Sequence, residues 1–325
     1  MSVDTTEAAG DAALRTGPAW VSNRERGTSI MLRLMVFISI RFGRPAVRVI
    51  VFGVAAYFFL FAPAARCHVR AYLARALGRA PRALDVYRLF LSFATTIHDR
   101  IYLLRERYDL MEITLEGEAL VAARHARGEG TFLMGAHLGS FEVTRALGRR
   151  QPGLRVAMAM YENNARRING ALAAINPALA LDIIPLGTVD SMLQIRARLE
   201  AGAFVGVLGD RSFGSERFER IEFLGAPANF PTSAMRAAAI LRRPVIFMAG
   251  LYRGANRYHI VFEKLADFTT TAREDREAAV RLAIRRYAAM LERHCRSDPY
   301  NWFNFFDFWA APVAATAASD AVRAP

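Results

Sequence analysis

The sequence predicts an α/β fold in which a mostly parallel central sheet is flanked by helices. From about Ile113 onward, short apolar runs alternate with segments of helical periodicity, and this alternation is typical of a parallel sheet. A chain of 325 residues that is 53% hydrophobic can also bury the core that such a sheet needs. The expected strands are 131–136, 156–160, 183–185, 204–208, 245–249 and 258–262.

Helical patterns lie between the expected strands, at 142–149, 165–173, 189–201 and 233–241. A Gly- and Pro-rich stretch over 223–232 is expected to be a loop that leads into the last of these helices. A final helix over 273–295 precedes an aromatic segment, and residues 313–325 are expected to be a flexible tail.

The N-terminal part of the chain divides into a tail and an apolar segment. Residues 1–19 are small and polar, so we expect a flexible tail over 1–28. The apolar stretch begins too late and lacks an A-x-A site, so we expect no signal peptide there. Residues 29–66 are strongly apolar with scattered arginines, and their longest uncharged stretch has 17 residues. Spanning a bilayer core takes about 20 residues, so this stretch lies at the lower limit.

Three interpretations of the apolar segment remain open: a transmembrane helix, an interfacial or half-inserted helix, and a buried core helix. Tyr57, Phe58, Phe59 and Phe61 are typical of an interfacial anchor, and flanking arginines are typical of the cytoplasmic face. We therefore predict a membrane anchor over 29–66, without deciding between spanning and insertion. Two amphipathic helices are expected to follow, and the second ends in His98-Asp99-Arg100.

The chain is basic, with 43 Lys and Arg against 30 Asp and Glu and a net charge of +13. The arginines are spread evenly, often within apolar helical patterns, whereas nucleic-acid binding usually shows basic clusters with interleaved aromatics. We therefore expect no nucleic-acid partner, and favour a membrane surface or an acidic protein. Cys67 and Cys295 lie far apart without ligand spacing, so neither a disulfide framework nor a structural zinc site is expected.

His137 is the first candidate catalytic residue. It follows directly after a predicted buried strand, and Glu142 comes five residues later at the expected start of a helix. A helix N-terminus favours an ionised carboxylate there, and a histidine held by a carboxylate is an arrangement for general-base catalysis. The alternative is a loop histidine with a glutamate that only caps the helix.

Ser140 suggests a different chemistry, a serine hydrolase in which His137 activates the serine hydroxyl. The residues around Ser140 do not form the G-x-S-x-G nucleophile elbow, and a serine before a helix is commonly a cap. A non-catalytic membrane-binding protein is the third class that remains open.

Two further pairs could line the same crevice. Asp210 and Arg211 follow the predicted strand 204–208, and ligands of open α/β sheets collect at the carboxyl ends of strands. Phe230 and Pro231 lie just before the helix that is expected from Ser233. Taken alone, each pair is also what an ordinary loop without a binding role would contain.

The order of these blocks resembles the lysophospholipid acyltransferase superfamily, and most closely the lipid A biosynthesis late acyltransferases. The blocks are His137 with Glu142, Asp210 after a Val- and Gly-rich strand, Phe230-Pro231 before a helix, and the Pro244-Val245 strand. The similarity covers most of the chain and extends to Gly43-Arg44, to the helix from Phe93 to Arg100, and to Asn301-Trp302-Phe303-Asn304-Phe305.

The resemblance implies a glycerol-3-phosphate acyltransferase-like fold over 67–312 in which His137 is the base and Glu142 its partner. It implies transfer of an acyl chain from an acyl carrier protein or coenzyme A thioester to a hydroxyl, without a metal or other cofactor. Asp210 is expected to place Arg211 on a phosphate or sugar oxygen, and Phe230 and Pro231 are expected to contact substrate. Backbone N–H groups would stabilise the oxyanion.

Two departures bear on the acceptor. Phe230-Pro231 is followed by Thr232-Ser233 rather than by the Glu-Gly of the glycerol-phosphate branch, so a lipid A-like or other glycolipid acceptor is expected. The C-terminal aromatic segment and the block Gly209-Asp210-Arg211 also depart from the enterobacterial lipid A pattern, and a specialised-lipid or polyene pathway is the alternative. The resemblance also implies acyl carrier protein as the partner, with the enzyme on the cytoplasmic side of the inner membrane.

Overall fold

The computed structural model describes residues 29–143, 153–161, 183–187, 190–211 and 217–310. The predicted tails over 1–28 and 313–325 and the helical pattern over 165–173 lie outside the described residues. The described strands are β1 (Glu112–Glu116), β2 (Thr131–Gly135), β3 (Val156–Tyr161), β4 (Ile183–Leu186), β5 (Phe204–Leu208), β6 (Phe218–Phe223), β7 (Ala226–Pro231), β8 (Pro244–Tyr252) and β9 (Arg257–Asp267).

In the described part of the chain, seven of these strands form one sheet in the order β1-β9-β8-β2-β5-β3-β4. Neighbours pair in parallel except β8 and β9, which form an antiparallel pair. The predicted α/β fold with a mostly parallel central sheet is confirmed. The order brings β2 and β5 together at the centre, although they are far apart in sequence.

Helices flank the sheet, and three of the described helices precede its first strand in the chain. They are α1 (Ser29–Phe61), α2 (Pro63–Leu77), α3 (Ala83–Leu104), α4 (Glu118–Ala126), α5 (Ser191–Glu200), α6 (Ser233–Ile240) and α7 (Arg276–Ser297). The two amphipathic helices expected after the apolar segment correspond to α2 and α3. Pro81 lies between them, where its missing N–H and fixed φ interrupt helical hydrogen bonding.

Helix α1 is kinked at Gly43, whose φ of 76° and ψ of 168° are not helical, and Pro45 follows two residues later. Beyond the kink, Val47, Val51 and Ala55 are buried. Their spacing of four residues places them on one helical face, which packs along α3. The apolar segment is therefore attached to the domain along one side, while its other sides carry exposed apolar residues.

The stretch over 223–232 is not the loop that its Gly and Pro content predicts. It contains β7, which pairs antiparallel with β6 as a separate two-stranded ribbon. Leu224 and Gly225 both have positive φ, 53° and 76°, as tight hairpin turns require. The prolines are tolerated because a two-stranded ribbon leaves N–H groups on its edges unpaired.

Candidate active site

His137 and Asp210 meet because of the register between β2 and β5. Gly135 and Leu208 are paired partners at the ends of these parallel strands, so the residues two positions further along each chain leave the sheet side by side. The Gly209 N–H donates to the Gly135 carbonyl at 2.9 Å and keeps the two chain segments together past the last pair. A parallel register thus juxtaposes a histidine and a carboxylate that are 73 residues apart.

The Asp210 carboxylate is buried and accepts three hydrogen bonds. The His137 backbone N–H donates to Oδ2 at 3.0 Å, and His137 Nδ1 lies 2.8 Å from Oδ1. The indole N–H of Trp302 donates to Oδ2 at 3.0 Å. Hydrogen bonds to a carboxylate stabilise its ionised form. Burial alone would raise the pKa of Asp210, but its contacts with His137 and the charge of Arg211 hold that pKa well below its usual range.

The imidazole of His137 is biased toward its neutral form. Burial lowers its pKa and the nearby charge of Arg211 lowers it further, while Asp210 acts in the opposite direction. Because the ionised carboxylate can only accept a hydrogen bond, Nδ1 carries the proton and Nε2 carries the lone pair. The side chain is 30% exposed, so this histidine combines a fixed tautomer with access from outside.

The C-terminal segment forms part of the site. The Phe303 N–H donates to the His137 carbonyl at 2.8 Å, and the Gly139 N–H donates to the Asn301 carbonyl at 2.8 Å. The Asn301 side chain in turn accepts from the Tyr252 N–H at 2.7 Å and donates to the Tyr252 carbonyl at 3.1 Å. The segment that follows α7 in the C-terminal part of the chain therefore holds the histidine loop against the end of β8.

Gly139 sits where the loop comes closest to β8. Its φ is +72°, and a Cβ there would lie 2.0 Å from the Gly250 carbonyl oxygen. The same oxygen accepts the Ser140 N–H at 2.7 Å. Both the backbone conformation and this close approach require glycine.

Glu142 does not occupy the position at His137 that the sequence predicts for it. Its carboxylate forms an ion pair with Arg100 of α3, with 2.8 Å between Oε1 and Nε, and Asp210 takes the place at Nδ1 of His137. The physical reason is that Glu142 leaves with the helical turn that begins at Phe141, whereas the β2–β5 register aims Asp210 at the imidazole. A catalytic role for Glu142 stays a prediction.

Ser140 lies close to His137 in sequence, yet the structure shows no nucleophile–base pair. The Ser140 side chain is buried, and its Oγ has no hydrogen-bond partner within the part of the chain that is described. A serine nucleophile is activated by a base within hydrogen-bonding reach. The observed contacts therefore give no support to the hydrolase alternative.

Arg211 is held beneath the C-terminal segment. One Nη donates to the Phe303 carbonyl at 2.9 Å, and the guanidinium lies 5.3 Å from the ring centroid of Phe306. The guanidinium also lies close enough to lower the pKa of His137. The Asp210 carboxylate is hydrogen-bonded to His137 and Trp302. Contact between Arg211 and a phosphate or sugar oxygen stays a prediction.

Phe230 and Pro231 belong to strand β7. The Phe230 ring is fully buried and packs against Phe223, Tyr287 and Phe308. Phe223 and Phe308 also pack against Trp302. Phe230 therefore supports the aromatic cluster around the tryptophan that binds Asp210, and direct contact of Phe230 or Pro231 with substrate stays a prediction.

Sequence reasoning missed two residues that the structure brings to this region. Trp302 donates to Asp210, and Arg100 pairs with Glu142. Both belong to segments that resemble the family in sequence. Neither a lone indole nor a lone arginine indicates which residue it will bind. Among the described residues, no group of three or more His, Cys, Asp and Glu side chains could hold a metal ion.

The fold and the site define an α/β protein with a histidine–carboxylate pair, suited to general-base chemistry, at the carboxyl edge of a parallel sheet. A model of the bacterial lipid A biosynthesis acyltransferase family matches residues 22–310. The chain belongs to that family and is an acyltransferase of the lipid A late acyltransferase type, so the resemblance seen in the sequence is confirmed. A search of curated proteins returned no match.

Gly139→Ala is expected to destabilise the protein more than Gly225→Ala. Both glycines have φ above 70°, but a Cβ at Gly225 meets nothing within 4 Å. The backbone cost of about 1–2 kcal/mol is therefore common to both variants, and only Gly139→Ala adds a clash with Gly250. We expect the free energy of unfolding to fall by more than about 3 kcal/mol for Gly139→Ala, measured by denaturant titration in detergent. Equal losses in the two variants would contradict the close approach.

Arg211→Gln is expected to raise the pKa of His137, because the guanidinium charge lowers it. A base acts only while deprotonated, so the acid limb of the pH profile of acyl transfer should move to higher pH. Asp210→Asn should move that limb to lower pH, because the Asp210 charge raises the same pKa. Profiles of kcat/KM for the three proteins give the measurement. Shifts in the same direction for both variants would refute this electrostatic assignment.

Proposed function

We propose that this acyltransferase moves a fatty acyl chain from an acyl thioester to a hydroxyl group of a glycolipid at a membrane surface. The observation that carries the proposal is the pair of His137 and Asp210, in which a buried carboxylate fixes Nδ1 of a histidine side chain that is still 30% exposed. Family membership supplies the acyl-transfer chemistry. A thioester is already activated, so the chemistry proposed here uses no metal or other cofactor.

In the proposed reaction, His137 Nε2 takes the proton of the acceptor hydroxyl as the oxygen attacks the thioester carbonyl carbon. The C–O bond forms, and the carbonyl electrons move to oxygen. Collapse of this intermediate breaks the C–S bond, and the departing thiolate recovers the proton from the imidazolium. Asp210 stabilises the imidazolium between these two proton transfers, and the charge of Arg211 favours the negative oxygen.

Two features support acyl carrier protein as the donor and a lipid A-like acceptor. The net charge of +13 attracts an acidic protein over long range, and the family is defined by lipid A biosynthesis. A coenzyme A thioester is also anionic, and a specialised-lipid acceptor remains the second candidate because the C-terminal aromatic segment departs from the enterobacterial pattern.

His137→Ala should lower acyl transfer by about 10²–10⁴-fold, which is the usual contribution of a positioned general base. The assay is mass spectrometry of lipid A-like glycolipid incubated with acyl carrier protein thioester, with the coenzyme A thioester run in parallel. Ser140→Ala is the matched control, since it alters the same loop without removing the base. A Ser140→Ala variant that is inactive beside an active His137→Ala variant would refute the assignment of the base.

Membrane association is proposed from the free surface of α1. Residues Met35–Phe61 are a 27-residue part of α1 that is long and apolar enough to cross a membrane, but one such helix is weak support. The stronger observation is that its large apolar side chains remain exposed beside the domain. These are Phe37, Ile40, Phe42, Val49, Ile50, Phe52, Tyr57, Phe58, Leu60 and Phe61.

The packing of α1 favours insertion into one leaflet over spanning. The straight part after the Gly43 kink has 18 residues and is therefore about 27 Å long, slightly less than the hydrocarbon core of about 30 Å. One face of this part packs against α3 through Val47, Val51 and Ala55. A helix attached along its length cannot be surrounded by lipid, and its arginines suit the anionic cytoplasmic leaflet of the inner membrane.

Replacing Phe42, Val49 and Phe61 by Ser together should weaken binding to anionic phospholipid vesicles by about 10²-fold or more, because each buried apolar side chain contributes about 1.5–3 kcal/mol. The control replaces Leu193, Ile240 and Leu282, which lie on α5, α6 and α7 and are similarly exposed at 60–68%. Vesicle flotation of detergent-purified protein measures both. Equal binding by the α1 variant and the wild-type chain would contradict insertion of this face.

A further inference from the structure

Helix α1 is joined to the domain through one buried carboxylate. Asp99 of α3 is fully buried and accepts from Arg44 of α1, Nε to Oδ1 at 2.7 Å and Nη2 to Oδ2 at 2.8 Å. The Tyr258 hydroxyl of β9 donates to Oδ2 at 2.8 Å. We call Arg44, Asp99 and Tyr258 the Asp99 cluster. It brings together the apolar helix, the helix that packs on it and the central sheet.

Contacts on both sides of the Gly43 kink reinforce the Asp99 cluster. After the kink, Arg44 and Arg48 both donate to the Ala255 carbonyl, at 2.6 and 2.7 Å, in the turn between β8 and β9. Before the kink, the Ser39 hydroxyl lies 3.1 Å from His98 Nε2. The Ser39 backbone carbonyl accepts a hydrogen bond from the Tyr102 hydroxyl at 3.0 Å. The two arms of α1 are thus attached separately, so the angle between them is set by the domain.

The chemistry of the Asp99 cluster is better suited to orienting α1 than to stabilising the folded protein. Desolvating two charges largely cancels their attraction, and buried ion pairs can often be replaced by apolar residues without loss of stability. The planar guanidinium fork, however, binds a carboxylate with both oxygens in only a narrow range of angles. The apolar stripe of Val47, Val51 and Ala55 alone would tolerate sliding along α3, because dispersion contacts have little directionality.

The next residue of α3 connects this attachment to the candidate site. Arg100 forms the ion pair with Glu142, at the start of the helical turn that follows the His137 loop. Consecutive residues of one helix therefore hold the apolar helix and the segment beside the histidine.

We propose that the Asp99 cluster is a positioning device that holds α1 at one angle to the domain, and so sets the height and tilt of His137 above the membrane. Arg44, Asp99 and Tyr258 are positioning residues. This inference rests on the proposed transfer to a membrane-embedded acceptor. A rigid attachment restricts the acceptor hydroxyls that can reach Nε2 to those at one depth in the leaflet.

The test replaces the whole cluster with Arg44→Met, Asp99→Leu and Tyr258→Phe. This triple variant leaves no unpaired buried charge, whereas Asp99→Asn alone would strand the Arg44 guanidinium. The control is Arg107→Met with Asp109→Leu, which removes an arginine–aspartate pair with the same two-bond geometry, 2.9 Å and 2.9 Å, at the surface.

Transfer is measured to one glycolipid in two forms, embedded in vesicles and dispersed in detergent micelles. The triple variant should keep turnover on the dispersed acceptor within about twofold and lose about tenfold on the embedded one, with unchanged vesicle flotation. The Arg107 control should match the wild-type chain in both assays. Equal loss on both acceptors, or no loss on either, would overturn the proposal.

A second readout is independent of catalysis. Spin labels at Val49→Cys and Leu282→Cys, in a Cys67→Ser background, report the distance from α1 to α7 in vesicles; Cys295 is buried and stays unlabelled. The distance distribution should be narrow with the Asp99 cluster and broad in the triple variant. An equally narrow distribution in both refutes the positioning device, whereas failure of the wild-type chain to acylate any hydroxyl acceptor refutes only the proposed function.

Discussion

The parallel register of β2 and β5 is the constraint on which the site depends. Because Gly135 pairs with Leu208, the residues two positions beyond this pair are a histidine and an aspartate whose distance is set by strand spacing. Loops alone would not hold this geometry, since a shift of one residue in either strand would turn the imidazole or the carboxylate away. Loss of this register would separate a pair that is 73 residues apart in the chain.

The C-terminal segment adds further contacts to the histidine–carboxylate pair that the β2–β5 register brings together. Trp302 supplies a third donor to Asp210 and is itself enclosed by Tyr72, Phe223 and Phe308. The indole is thereby held by packing from α2 and from the β6–β7 ribbon. A cluster of aromatic rings thus holds the indole that donates to Asp210, and Phe230 belongs to this cluster through its contacts with Phe223 and Phe308.

The sheet could be predicted from the sequence because its central strands are continuous apolar runs, as in 131–136 and 204–208. Strand β1 was missed because Glu112, Thr114 and Glu116 are exposed at the sheet edge, and the β6–β7 ribbon because its prolines indicate a loop. The sequence indicates both His137 and Asp210 as candidate site residues. It predicts Glu142 as the partner of the histidine only because Glu142 is near in sequence. The partner at Nδ1 depends on strand order, which local patterns do not contain.

The bond between Trp302 and Asp210 also determines when the site becomes complete during synthesis. The apolar helix α1 leaves the ribosome before every strand of the sheet, because all of the described strands lie further along the chain. Asp210 lacks one of its three donors, and the histidine loop lacks its contacts to Asn301 and Phe303, until residues 301–303 have left the ribosome. A nascent chain would therefore present its apolar helix well before the histidine–carboxylate pair had all of its contacts.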